Sequence, residues 1–515
     1  MVKTNTSFLI LVLFSLLSTT ANAAVTLDLA NSRMITQNTD GISQTAEASD
    51  YFGWAVTTGD YNGDGYDDVV TGIPFEGISG QSEAGAIQVI YGSSGGLSTQ
   101  DEVFHQNRAG MAGTLNSHEH FGYAVATGDF DNDGFDDVAV GIPLDKDEAD
   151  FSGSVQILYG SASGLSTGQN QLINQNSPSI VNSSEADDHF GYSLAVGDFN
   201  NDGFDDLAVG VPQEDIKNNS VFNGGAVHLI YGSIFGLATN NHLVSLASDG
   251  IGGTEAAHDK FGYALTAGDF DSDGFDDIAV GIPNRLVDGK GNAGAVKIIY
   301  GTATGIGTRD KMFSQNNLAG IPESNDHLGK ALIAGDFNHD GFDDLVIGVE
   351  NENVGNLNSA GAIHFILGSS SGLTNTSNEI FTQDDFGINQ AESQAYFGSS
   401  FTKGDFNQDG ILDLAVGAFL DDDILGAGNI KGGTVTILSG NAAGLFFTQN
   451  VSQSTPHVGA IDEIGDNFGY SLTSGDYNGD GLADLIVGAP GEGINDILFK
   501  VGAIWVSYGM FFLPP

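Results

Sequence analysis

The chain contains no cysteine, which excludes disulfides, zinc–thiolate centres and a cysteine nucleophile together. Basic residues are scarce: 15 Lys and Arg stand against 67 Asp and Glu, a formal net charge of −52. A field of that sign repels phosphate backbones, so no nucleic acid is expected as a partner. After the first residues no apolar stretch reaches the length needed to cross a bilayer, so no transmembrane segment is expected. The first residues are different. Lys3 supplies a positive start, Phe8 to Leu17 is apolar, and Ala21-Asn22-Ala23 offers small residues for cleavage. This reads as an export signal over 1–23, with the mature protein secreted or held at the cell surface. An exported chain without disulfides needs another staple.

Glycine is what the chain has in excess, 74 residues without the three-residue period of a collagen, which points to many turns between short strands. A repeat organises them. Phe-Gly, a short strand, Gly-Asp, an acidic loop, an apolar run ending Gly-x-Pro and a second apolar run ending Tyr-Gly recur, most clearly from Phe121 to Gly160. The loop-opening aspartates Asp60, Asp129, Asp198, Asp269, Asp336, Asp405 and Asp476 are spaced 69, 69, 71, 67, 69 and 71 residues apart. Seven units, roughly 41–108, 109–177, 178–248, 249–317, 318–385, 386–454 and 455–515, fill a single domain over 24–515. Each unit carries four strand-like runs, the signature of an all-β, seven-bladed β-propeller. The last copy stops after its third strand. Residues 24–40 contain Arg33 to Asn38, which resembles the fourth-strand endings Phe313-Ser314-Gln315-Asn316 and Phe447-Thr448-Gln449-Asn450. The N-terminal strand is therefore expected to complete the last blade and close the ring.

The acidic loops place aspartate at positions 1, 5 and 9, Asp or Asn at 3, and Gly at 6. The first runs Asp60, Asn62, Asp64, Tyr66 and Asp68, counting position 7 for its carbonyl. The second runs Asp129, Asp131, Asp133, Phe135 and Asp137; the third Asp198, Asn200, Asp202, Phe204 and Asp206. The fourth is Asp269, Asp271, Asp273, Phe275 and Asp277, and the fifth Asp336, Asn338, Asp340, Phe342 and Asp344. Asp405, Asn407, Asp409, Ile411 and Asp413 form the sixth; Asp476, Asn478, Asp480, Leu482 and Asp484 form the seventh. Alternating carboxylates around a glycine turn wrap oxygens about one hard cation, so up to seven Ca²⁺ ions are expected. An EF-hand needs Glu at position 12. Here position 12 is Thr71 or an aliphatic residue such as Val140, inside the next strand, so the ninth aspartate closes the site instead. The extra aspartate at position 8 (Asp67, Asp136, Asp205, Asp276, Asp343) reads as an outer contact or a solvated charge.

These phrases resemble the FG-GAP repeats of the integrin α-chain propeller. The residues that carry the likeness are the Phe-Gly pairs at 52, 121, 190, 261, 397 and 468, the Gly-x-Pro triplets at 72, 141, 210, 281 and 488, and the acidic loops. The resemblance implies calcium in the hairpin loops and a role in adhesion or ligand recognition. The fifth copy departs with Leu328-Gly329 and Glu350, the sixth with Phe419 and Ile411-Leu412.

For function, a binding module is favoured over an enzyme, because the aspartates sit at symmetric positions and catalysis needs a set that breaks the symmetry. His118, His120, His189, His258 and His327 precede the Phe-Gly pairs in several copies and read as packing or surface residues. The partner expected is an extracellular protein or glycan. An extracellular enzyme or a lectin working on the face opposite the calcium loops is the alternative. That face carries the variable connections between second and third strands. In the sixth of these, Asp421, Asp422 and Asp423 are expected as an exposed acidic contact for a basic ligand.

Overall fold

Every acidic loop hands directly to a six-residue strand, from Asp68–Ile73 in the first copy to Asp484–Ala489 in the last, and every residue of these strands is buried. An unbroken apolar run of this length, with turns at both ends, is a strand covered on both faces. The computed structural model describes residues 27–509 apart from 147–149, 179, 217–219, 238–240, 387–390, 423–430, 457, 459–462 and 494–498. The expected signal peptide therefore lies outside the described residues.

Around each buried strand an antiparallel sheet of four forms; the first contains Val56–Gly59, Asp68–Ile73, Ala86–Ile90 and Asp101–Phe104 in that order. Seven such sheets build a β-propeller of seven blades. The first strands touch blade to blade around the whole circle and so line the axis. Helix is confined to short turns such as the 3₁₀ segments Asn375–Ser377 and Gln383–Phe386, and among the described residues no helix is long and apolar enough to cross a membrane.

The last blade is closed by the N-terminal strand, Asp28–Ile35, paired antiparallel to Ala503–Tyr508 with Arg33 opposite Val506 and Ile35 opposite Ile504. The strand extends further toward the N-terminus than expected, and Thr36–Asn38 turn away from it. One alignment needs correction. Register places Val451 opposite Val435, as Phe313 stands opposite Val296, so Gln453 and not Gln449 matches Gln315.

Sheets can bury their faces only against neighbouring blades, and the repeat phrases supply that contact. The amide of Phe52 donates to Val501 O of the preceding blade, Phe121 to Ala84 O and Phe190 to Ser152 O. Leu328, in the fifth copy's Phe position, does the same with Ala293 O, so this departure preserves the link. The two glycine motifs meet back to back. A Cβ on Gly72 would stand 2.0 Å from Gly122 O, one on Gly141 2.1 Å from Gly191 O, and one on Gly488 2.4 Å from Gly53 O.

On the face away from the acidic loops a second fastening crosses five of the seven junctions. A glutamine just past one blade's fourth strand donates to an acid in the next blade: Gln37 to Glu76 (2.7 Å), Gln175 to Glu214 (2.5 Å), Gln315 to Glu352 (2.6 Å), Gln383 to Asp421 (2.7 Å) and Gln453 to Glu492 (2.5 Å). Burial pushes the carboxyls of Glu76 up to about 8 and of Glu214 and Glu352 up to about 7. Asp421 is corrected by this pattern. It is 1% exposed and also accepts from the Thr434 hydroxyl (2.7 Å), so its carboxylate belongs to a blade junction and is not a surface contact.

Two histidines share one register position of the third strand, His228 opposite Val209 and His364 opposite Ile347. Both are 0% exposed, and burial pushes their pKa values down to about 4. An unfolded chain protonates such rings first, near 6.5, so the stability they contribute above that pH is lost as pH falls toward 4, up to about 3 kcal/mol for each ring. Gln88 and Gln156 hold the same position in the first two blades. The double variant H228Q/H364Q should therefore lose less melting temperature between pH 7 and 4.5 than the parent, and parallel curves would contradict this. Separately, Gly141→Ala should destabilise by about 3 kcal/mol or more through the clash with Gly191 O. Gly77→Ala, at an exposed glycine with nothing closer than 3.8 Å, should be neutral in the same denaturant titration.

Candidate functional site

The acidic loops join first and second strands, and all seven adopt one conformation. Position 1 caps the turn: Asp60 Oδ1 accepts from Asp64 N (3.1 Å) and Oδ2 from Gly65 N (2.9 Å). The same pair of bonds recurs from Asp129 to Asp476. Position 5 accepts from position 7, as Asp133 does from Phe135 N (3.0 Å). Glycine at position 6 has φ between 82° (Gly410) and 91° (Gly274). Position 4 is left-handed as well, from 52° at Asn201 to 73° at Gly479, although it is glycine in just two copies. Asn, Ser, His and Gln fill the rest, a signal the sequence pattern hides because only the torsion repeats.

The ninth aspartate does more than close a ring of oxygens. Asp137 is buried and accepts from Phe130 N (2.9 Å) and Gly160 N (2.8 Å), tying the loop to the turn after the third strand. Asp68, Asp206, Asp277, Asp344, Asp413 and Asp484 repeat both bonds. Burial, with the neighbouring aspartates adding to it, pushes the carboxyls of Asp68, Asp137, Asp206, Asp277 and Asp484 up to about 8, and those of Asp344 and Asp413 up to about 7.

Position 8 is corrected from an outer or solvated charge to a clamp between blades. Asp136 Oδ2 accepts from Asp60 N of the preceding blade (2.8 Å), Asp205 from Asp129 N (2.9 Å), Asp276 from Asp198 N (2.9 Å), Asp343 from Asp269 N (3.2 Å) and Asp67 from Asp476 N (2.7 Å). The last of these spans the ring's closing junction.

These loops fit a hard cation. Carboxylate oxygens of Asp129, Asp131 and Asp137 lie within 4.8 Å of one another, as do those of Asp269, Asp271 and Asp273. At position 3, Asp131, Asn200 and Asp271 each hold a buried side-chain oxygen with no hydrogen-bond partner. Such an oxygen is costly unless something positive meets it. In the first, fifth, sixth and seventh loops the position-3 oxygen of Asn62, Asn338, Asn407 or Asn478 instead accepts from the position-5 amide.

A family model for the FG-GAP repeat matches residues 52–90, 121–158, 190–230, 261–299, 328–366, 397–438 and 468–507. The chain belongs to the FG-GAP repeat family. Among curated proteins it is 28% identical to integrin alpha-PS2 of Drosophila melanogaster over 267 residues, 49% of this chain and 17% of that one. It is 33% identical to phosphatidylinositol-glycan-specific phospholipase D of Bos taurus over 162 residues, 31% of this chain and 18% of that one. Each of these matches thus spans less than a fifth of the relative's length. Rhamnogalacturonan lyase YesW superposes with a TM-score of 0.42 at 12% identity, covering 93% of this chain and 74% of that one, too slight a likeness to bear on function.

The opposite face of the FG-GAP ring is aromatic. Trp54, Tyr123, Tyr192, Tyr263 and Tyr470 each follow a Phe-Gly pair and form an arc about the axis, with neighbouring centroids 5.0–5.6 Å apart. Tyr51 and Phe75 extend it at Trp54, and Phe419 and Tyr396 at Tyr470. Lys330 and Ser399 occupy the remaining two positions. An axial cavity of about 320 Å³ opens among Trp54, Tyr123, Tyr263, Leu332, Phe401 and Leu472. The histidines that precede the Phe-Gly pairs bond locally: His118 to Glu83 (2.9 Å), His327 to Asn351 (2.9 Å) and His189 to Gln213 (2.5 Å). Of the expected acidic contact, Asp422 is half-buried beside Glu392, whose carboxyl is pushed up to about 7 by burial and by Asp422, while Asp423 lies outside the described residues.

The two kinds of loop aspartate separate in a melting experiment. With a dissociation constant near 10⁻⁴ M, one ion at about 1 mM calcium stabilises by roughly 1.4 kcal/mol. Asp133→Asn should lose about that much in calcium and nothing in excess chelator. Asp137→Ala should melt lower than the parent in both, because its two backbone bonds do not depend on metal. Equal behaviour of the two variants in chelator contradicts the distinction.

Proposed function

We propose that this chain is an extracellular, non-enzymatic propeller, stapled by calcium in its acidic loops, that recognises a macromolecular ligand with the face away from the metal. The aromatic arc around the axis carries this reading. Half-buried aromatic rings present a large, rigid apolar area at low entropic cost, the property that anchors binding surfaces. Exposed large apolar residues gather in the loops of the same face: Val181, Phe222, Leu286, Ile321, Ile464 and Phe499 belong to it, against Ile234 and Phe235 on the metal face. The relatives named integrin alpha support recognition, and the signal-like start supports export. A non-catalytic role is supported by the bookkeeping of the carboxylates, which are absorbed in sevenfold repetition by loops and junctions.

A panel of extracellular-matrix proteins and glycans, probed with and without calcium, tests this. Trp54→Ala should weaken the ligand found by more than tenfold, about 1.4 kcal/mol. Phe235→Ser, on the metal face and 84% exposed, should leave affinity unchanged. Binding that survives the first change and is lost with the second would place the contact on the wrong face.

A further inference from the structure

The fourth acidic loop already holds a cation. Arg309 lies on that blade's fourth strand, Gly305–Phe313, and sets Nη1 against Asp271 Oδ2. Its other nitrogen donates to Ser371 O in the fifth blade (2.7 Å), and the guanidinium rests 3.8 Å above the Tyr300 ring. Asp271 is the position-3 ligand, with a side chain 5% exposed, and it belongs to the tight cluster with Asp269 and Asp273. Three anchors hold the arginine: a carboxylate, a carbonyl and an aromatic face.

The second loop is an internal comparison. Asp131 holds the same position, lies within 4.8 Å of Asp129 and Asp137, and among the described residues pairs with no basic group. Register puts Gln169 where the fourth blade has Arg309, since Gln171 opposes Ile157 as Lys311 opposes Ile298. The two loops thus carry the same five ligand positions, all aspartate at 1, 3, 5 and 9, and differ in one fixed positive charge. A divalent ion entering the fourth loop would sit beside that charge or have to expel it, and the repulsion is strong at separations of a few ångströms in a partly buried site.

Resting on the calcium reading above, we propose that Arg309 is a tethered stand-in for calcium: six loops bind the ion tightly, and the fourth binds it at least tenfold more weakly. Its gain is a junction between the fourth and fifth blades that stays bridged without metal. Lys311 Nζ reinforces the bridge by donating to Leu373 O (2.9 Å).

The test strips the full-length protein with chelator and titrates it with calcium chloride, counting ions by native mass spectrometry and affinities by calorimetry. The parent should take up six ions tightly and a seventh at tenfold or higher concentration, and Arg309→Gln should take up seven alike. Arg309 is 48% exposed and glutamine stands at the matching place in the second blade, so this variant is expected to fold. Equal counts and affinities in the two proteins overturn the inference and leave the calcium reading intact, as does loss of an ion from the variant. No ion bound by either protein overturns both.

Discussion

The contact between one blade and the next is the constraint on which this molecule depends. A four-stranded sheet has two faces to cover and too little area to form a core alone, so the second strands, buried on both sides, have a hydrophobic environment only because a neighbour lies against each. The junction is fastened at three levels. On the face of the acidic loops the eighth aspartate, in the five copies that carry it, takes the first loop amide of the blade before it. In the middle, glycine faces glycine with no room for a Cβ. On the far face a glutamine reaches a buried acid. The ring is closed because the N-terminal strand completes the seventh sheet, while the aspartate clamp and the glutamine bond each recur at five of the seven junctions.

This arrangement explains why so acidic a chain folds at all. With a net charge of −52, self-repulsion opposes compaction. The folded chain spends much of that charge internally: each ninth aspartate serves two backbone amides, the eighth aspartates serve the preceding blade, and several junction acids have carboxyls raised toward neutrality by burial. The calcium proposed above would extend the same logic, adding positive charge where buried position-3 oxygens have no hydrogen-bond partner.

How much of this was legible in the sequence follows from how far apart the partners lie. The blade count, the phase and the acidic loops recur from unit to unit, so local spacing exposes them, and the odd strand at the start exposes ring closure. The junction partners do not. Asp60 and Asp136 are one blade apart, and nothing in a single repeat shows that the eighth aspartate looks outward to its neighbour. Asp421 shows the same limit: alone it opens a run of three acids, whereas aligned with Glu76, Asp145, Glu214, Glu352 and Glu492 it is the acid two places after the Gly-x-Pro triplet or its equivalent. That column was there to be found. The glutamine column is harder to see, because Phe-Thr-Gln-Asn at 447–450 mimics Phe-Ser-Gln-Asn at 313–316 out of register.

The departures from the repeat make sense in pairs. In the fourth blade the acid column has Arg285, and the glutamine column before it has Leu246; Arg285 turns instead to Asp259 and Thr254 O (2.6 Å). In the fifth blade the aromatic after Phe-Gly is Lys330 and the proline is Glu350, and the two form an ion pair. The sixth loop has Leu412 in place of the eighth aspartate, and Lys403 reaches across to Ala334 O (2.7 Å) in the blade before. Arg309 meets Asp271 where the fourth loop has an aspartate at position 3. Basic residues are rare in this chain, and Arg285, Lys330 and Lys403 stand at points where the repeat departs from its pattern. Each restores a contact between elements that the regular repeat would have made with a carboxylate, an amide or an aromatic ring. Where the pair is ionic, as for Arg285 with Asp259 and Lys330 with Glu350, removing the base leaves a largely buried carboxylate alone, so these positions are held by electrostatics in place of repetition.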